Sequence, residues 1–278
     1  MKQELLWVFV AAIVALPAGA PLAADVAAPQ QQRPAEVAPV RPYDIVLEIG
    51  AGAASRPAYE GAKDYKFSPT GFVVLHKLWL PGFGVVKDGR TTEGFSFGPS
   101  FRYVPKRDSS DYTELRGLND VDAAYELGGK VSYTFGMIRP RVAVRYGLGG
   151  HHGVVGEAAL DFIFRPGAAT EFTIGPHASF ASAEYMRTYL GVSPTEAARS
   201  GLRTYDPNGG IKGAGAQITG RHEFTPEWSL VGSLVYEKLV GDAADSPIVK
   251  VGDNDQFTAK LGLTYKFGLM LFNNKSKR

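Results

Sequence analysis

His151 and His152 stand side by side, and Asp242 follows in a later polar stretch. A histidine oriented by an aspartate can act as a general base on water, provided the two are in hydrogen-bond contact. Nothing in the spacing brings these residues together, so the pair reads as rim histidines. Asp242, Asp245, Asp253 and Asp255 offer carboxylate oxygens that suit a hard divalent cation, but the regular spacing of a calcium loop is missing and solvated negative charge is the expected role. There is no Gly-x-Ser-x-Gly elbow, phosphate loop or zinc motif, and with no cysteine there is no thiolate nucleophile, thiolate-held metal or disulfide. No catalytic residue, metal ligand or cofactor is therefore assigned.

A different set of charged residues recurs by pattern. Arg102, Glu126, Lys130, Arg141, Arg145, Glu157, Asp161, Arg221, Glu223 and Lys260 fall on the polar face of stretches that alternate between polar and apolar residues. Phe257, Ala259, Leu261, Leu263, Tyr265 and Phe267 alternate with Thr258, Lys260, Gly262, Thr264 and Lys266, a period of two that defines a strand with one apolar and one polar face. The same rule holds near 121–135, where Tyr125, Leu127, Val131 and Tyr133 oppose Glu126, Lys130 and Ser132.

Ten such strands are predicted, over 43–54, 66–80, 93–104, 121–135, 138–149, 153–165, 169–181, 211–224, 227–239 and 254–267. A soluble sandwich and a membrane barrel both alternate in this way. Strand length and loop asymmetry separate them. Most of the ten exceed the usual strand of about 5–6 residues and suit a tilted transmembrane strand of about 9–11. Gly136-Met137, 165–168 and Thr225-Pro226 are tight turns, whereas 55–65, 105–120, 182–210 and 240–253 are long and polar. An even strand number with short turns on one side and long loops on the other describes an all-β, antiparallel transmembrane barrel with both termini in the periplasm. Two connections fit less well, 81–92 being long for a periplasmic turn and 150–152 short for an outer loop; residues 81–92 or 182–210 have room for a further hairpin.

The ten charged residues then face the lumen, where unpaired buried charge is costly, so the expectation is a salt-bridged interior with a small hydrated pore as the alternative. In the long loop, Ser193-Pro194-Thr195-Glu196 is a capping box with proline at the first helical position and Gly201 ready to end the turn, which predicts a short helix shielding the barrel mouth.

The flanks complete the organisation. Lys2 and the apolar run Leu5 to Leu16, followed by small residues to Ala24, read as a signal peptide over 1–24. Residues 25–42 are a Pro- and Gln-rich periplasmic linker, 43–267 the barrel and 268–278 a periplasmic tail. With 30 Lys and Arg against 28 Asp and Glu, a net charge of +2 gives no basic excess for nucleic acid.

Three stretches are more specific: Tyr59-Glu60-Gly61 with Asp64-Tyr65; Tyr189-Leu190-Gly191-Val192-Ser193-Pro194 leading to Tyr205-Asp206; and Leu239-Val240-Gly241-Asp242-Ala243-Ala244-Asp245-Ser246-Pro247-Ile248-Val249. Over roughly 43–267 the chain resembles the MipA/OmpV family, the MltA-interacting proteins of Gram-negative outer membranes. The resemblance implies a non-enzymatic outer-membrane barrel and, for the best-known member, a scaffold joining a murein synthase to a lytic transglycosylase. Porin-like and adhesive roles are also attributed to the family, so a narrow solute channel and an adhesin acting through the outer loops stand as alternatives. Lys260, Gly262, Tyr265 and Phe267 look like the assembly signal of outer-membrane barrels, displaced here from the chain end by the residues up to Arg278. The partners implied are outer-membrane lipid and lipopolysaccharide, the barrel-assembly machinery, and the two murein enzymes.

Overall fold

The computed structural model describes residues 43–80, 84–87 and 93–271. The expected signal peptide, the whole of the linker and most of the tail lie outside the described residues. Ten long antiparallel strands form a nearly closed barrel: β1 (Ile45–Pro57), β2 (Tyr65–Leu80), β4 (Gly94–Val104), β5 (Ala124–Thr134), β6 (Ile138–Gly149), β7 (Val154–Gly167), β8 (Thr170–Ala181), β9 (Gly210–Glu223), β10 (Trp228–Leu239) and β11 (Asp255–Leu269). A short β3 (Gly84–Lys87) folds back on the end of β2, so 81–92 does hold the extra strand its length allowed.

The ladder runs β3-β2-β1-β11-β10-β9-β8-β7-β6-β5-β4. The first and last strands pair from Ile45↔Leu269 to Ser55↔Ala259, which joins the two ends of the barrel segment. This pairing carries β11 two residues beyond the expected end at 267, because β1 still offers partners there. The remaining seam lies between β2 and β4. At its outer end Lys66 crosses to Asp111 at 3.5 Å and lies 4.7 Å from the ring centre of Tyr112.

Alternation sorts the side chains as a membrane barrel requires. Outside stand Leu127, Val131, Val142, Val144, Leu261 and Leu263, all exposed on the isolated chain. Aromatic pairs flank this aliphatic band at both ends: Tyr103–Tyr125 and Tyr236–Phe257 towards the long loops, Tyr133–Phe135 and Trp228–Tyr265 towards the tight turns. Rings at both rims and aliphatics between them fit the two interfaces and the hydrocarbon layer of a bilayer. Pairing along the ladder also satisfies the backbone groups that lipid cannot, everywhere but at the seam between β2 and β4.

The long connections form a cap. Residues 182–210 contain no hairpin; they fold into α1 (Ala183–Leu190) and α2 (Pro194–Ser200), while 240–253 folds into α3 (Gly241–Asp245) and α4 (Pro247–Val251). Residues 121–123, expected within a strand, belong to this cap: Val121 pairs with Arg107 outside the barrel ladder and is buried, and β5 starts only at Ala124. Two apolar clusters hold the cap together, one built on Tyr185, Met186, Tyr189, Leu190 and Leu239, the other on Tyr59, Leu115, Leu118, Val192 and Ile248.

Candidate functional site: a charged lumen beneath a folded cap

Register places Arg102 opposite Glu126 on β4 and β5, and the two form a bidentate pair at 2.7 and 2.8 Å. Arg145 from β6 donates to the same carboxylate at 3.2 Å, to Glu157 at 2.5 Å and to Ser100 at 3.0 Å. One layer nearer the periplasm, Asp161 receives Arg139 at 3.1 Å, Arg141 at 3.3 Å and the Gln217 amide at 2.7 Å. Arg102, Glu126, Arg141, Arg145, Glu157 and Asp161 are thus drawn into one network. Arg221 and Glu223 lie apart from it, towards the periplasmic end, 3.5 Å from each other. Arg221 there forms a bidentate pair with Glu48 at 2.6 and 2.7 Å, and Glu48 also accepts from Thr264. Lys130 and Lys260 face the lumen as well, on the same strand faces as buried Glu126 and Thr264, but neither makes a hydrogen bond or ion pair among the described residues, and both are exposed.

At the outer mouth the cap plugs into this network. His151 Nε2 lies 3.3 Å from Glu126, and the Gly153 amide donates to His151 Nδ1 at 3.2 Å, which leaves the ring proton on Nε2 to point at the carboxylate. A side chain at Gly147 would collide with the His151 ring, its Cβ falling 2.1 Å from Cε1, so glycine there makes room for the histidine. Tyr185 and Tyr189 meet the same ring edge-on, at 5.0 and 5.5 Å between centres. The Tyr185 hydroxyl donates to Glu60 at 2.6 Å, and Lys212 bonds both Glu60 and Glu237. Burial first, and then the charge of Glu60, hold the Tyr185 phenol well above its ordinary value, so it remains a donor.

The capping box is formed: Ser193 Oγ accepts from the Glu196 amide at 3.3 Å while Glu196 accepts from the Ser193 amide at 2.9 Å, and Gly201 ends α2 at φ +75°. Glu196 also accepts from the Asn119 amide at 2.9 Å, tying α2 to the loop after β4. Burial would raise its carboxyl, but these hydrogen bonds outweigh it and the group lies below the usual carboxylate range. Ser246 locks the second half of the cap by donating to the Leu190 carbonyl at 2.6 Å.

The imagined base and orienter do not meet. His152 is exposed, the Asp242 carboxylate receives Asn208 at 2.7 and 3.2 Å, and the buried histidine is His151. Among the described residues no cluster of His, Asp and Glu has the arrangement of a metal site. Of the terminal-strand residues, Gly262 faces inward, where a Cβ would fall 2.4 Å from the Phe72 ring, and Tyr265 and Phe267 stack outside at 6.4 Å.

The family model described as MltA-interacting protein MipA matches residues 49–267. The chain belongs to this family. Its relatives include the MltA-interacting proteins of Escherichia coli (strain K12) and Shigella flexneri, each 30% identical over 169 residues, or 59% of this chain. That match spans 65% of the length of the two relatives. Among solved structures, the COG4313 outer membrane channel from Pseudomonas putida F1 is similar at 12% identity and TM-score 0.43, covering 82% of this chain and 97% of that one. The N-terminal β-barrel domain of Pseudomonas aeruginosa OprF is similar at 10% identity and TM-score 0.30, covering 81% and 98%. The nearly closed ladder, the aromatic-flanked belt and the charged interior make this MipA-family protein a barrel of the Gram-negative outer membrane.

Several members of the network were not singled out from the sequence. Glu48 lies between Leu47 and Ile49, so the same alternation points to it. Glu60 sits in an irregular loop, and no period could assign it.

Proposed function

We propose that this barrel is a non-enzymatic scaffold that holds murein-hydrolysing and murein-synthesising enzymes at the outer membrane. The observation that carries the reading is the family match over 49–267, with relatives named for interaction with MltA, a lytic transglycosylase in the family resemblance above. The cap supports it physically. Its buried inner layer of Tyr185, Met186, Tyr189 and Leu190 fills the outer mouth, which suits a protein whose working face is the periplasmic one. Lys260, Gly262, Tyr265 and Phe267 serve in this reading as the signal handed to the barrel-assembly machinery. A pull-down from detergent-solubilised envelopes, using the full barrel as bait, is expected to recover a lytic transglycosylase and a murein synthase. Recovery of neither overturns the proposal.

A second reading, a narrow solute channel, is favoured by one observation: Lys130 and Lys260 are exposed although they point into the lumen, so the space around them admits water. Stepwise single-channel conductance of the refolded barrel would support it, and a folded but silent barrel would remove it.

A further inference from the structure

The middle of the lumen is not electrically balanced. Glu126, Glu157 and Asp161 are the carboxylates of this zone, and four arginines already serve them: Arg102 and Arg145 on Glu126, Arg145 on Glu157, Arg139 and Arg141 on Asp161. Three further cations remain. Arg56 has the Ser68 hydroxyl at 3.0 Å, a neutral partner. Lys130 and Lys260 have neither hydrogen bond nor ion pair among the described residues. Among the described residues, seven cationic side chains of this zone therefore face three carboxylates, an excess of four.

The two lysines are also surrounded by like charge. Arg139 and Arg141 act on Lys130; Arg102, Arg56 and Arg145 act on Lys260. Glu157 is a carboxylate that acts on both of them, and it is already paired with Arg145 at 2.5 Å. Cations held together in a confined, low-dielectric wall repel, and the arrangement is relieved when an anion enters among them. Carboxylates elsewhere in the lumen are engaged with other partners: Glu48 with Arg221, Glu60 and Glu237 with Lys212.

We propose that the mid-lumen is a binding chamber for a small multivalent oxyanion, a phosphate- or polycarboxylate-bearing solute, held by Lys130 and Lys260 with Arg56 and the outer edges of the arginine network. Exposure of both lysines supplies the room, and their flexible ammonium donors are free to turn towards the ligand. The residues face the lumen and not the lipid, so the ligand comes from solution. The inference does not depend on the scaffold reading; it names the solute class that the channel reading would have to carry.

The test is titration calorimetry of inorganic phosphate into the full barrel, refolded in a zwitterionic detergent at pH 7 and constant ionic strength. Wild type and Lys238→Gln, a change at an exposed lysine paired with Asp255 at 3.8 Å, should bind phosphate saturably and alike. The double variant Lys130→Gln/Lys260→Gln should bind at least tenfold more weakly while keeping the heat-modifiable gel shift of a folded barrel. The single variants should each weaken binding several-fold. Because the lysines repel their neighbours, their removal should raise the melting midpoint in phosphate-free buffer, and phosphate should raise the midpoint of wild type but not of the double variant. Absence of saturable binding, equal binding by the double variant, or failure of the glutamine variants to fold would each overturn the proposal.

Discussion

Glu48 is the most instructive residue to remove. Its side chain is fully buried, it accepts both terminal nitrogens of Arg221 at 2.6 and 2.7 Å, and it is also the partner of His76 at 2.5 Å and of Thr264. Glu48 lies on β1 and Arg221 on β9, three ladder steps apart, about 14 Å around the wall at the usual strand spacing of about 4.8 Å. The pair is therefore a strut across the lumen and not a neighbouring contact. Glu48→Ala takes the bidentate partner from the Arg221 guanidinium, 14% exposed, and leaves it only the looser contact with Glu223 at 3.5 Å. Breaking a buried pair from one side costs about 3–5 kcal/mol, roughly a 100- to 4,000-fold change in the folded-to-unfolded ratio. Replacing both partners by apolar side chains of similar volume, Glu48→Leu with Arg221→Met, removes the stranded charge and should recover at least half of that loss. The assay is urea unfolding of the barrel in lipid vesicles, followed by tryptophan fluorescence and the heat-modifiable gel shift. A single-variant cost below about 1 kcal/mol, or a double variant as costly as the two single changes together, refutes the strut.

Leu263→Arg places a charge on the outward face at the middle of β11 and should cost about 2–4 kcal/mol in the same unfolding assay, whereas it would be nearly neutral if that face met water. Glu196 has a folded-state value below its ordinary 4.5, so its contribution is complete above that value and is lost as the pH falls below it; amide exchange over 193–202 should accelerate in acid, and Glu196→Gln should remove that dependence. Ser193→Ala deletes the other half of the capping box and should loosen α2 by about 1 kcal/mol, read by the same exchange. Gly147→Val drives a side chain into the His151 ring and should release the cap, giving protease cleavage within 182–210 while the barrel keeps its gel shift.

A period of two is what made the barrel legible. In β11, Leu261, Leu263 and Tyr265 against Lys260, Gly262 and Thr264 announce one lipid face and one lumen face, and the register Ala54↔Lys260 and Gly52↔Gly262 keeps the same faces together on β1. The charged residues were found by the same rule, since an ionisable side chain flanked by outward apolar neighbours has only the interior left. Alternation stops at the strand ends, and beyond them it assigns no residue to a face. Val121 looked like a strand residue because it continues the apolar pattern of β5, yet it is buried in the cap. The capping box at Ser193 marked one helix; Ser246-Pro247 caps α4 in a similar way but lacks the returning glutamate, and α1 and α3 have no side-chain cap.

Which charges pair was beyond the sequence altogether. Arg102 and Glu126 meet because strand register sets them opposite, but Glu48 reaches Arg221 across 173 positions and Tyr185 reaches Glu60 across 125. Strand period depends only on neighbouring residues, so the chain alone determined its faces, its approximate strands and the sign of each lumen charge. Closure of the barrel and packing of the cap depend on shear, loop path and volume, which join distant residues at once. Only the tertiary structure decided that Arg102, Arg145 and Arg141 have carboxylate partners and that Lys130 and Lys260 are exposed with none among the described residues.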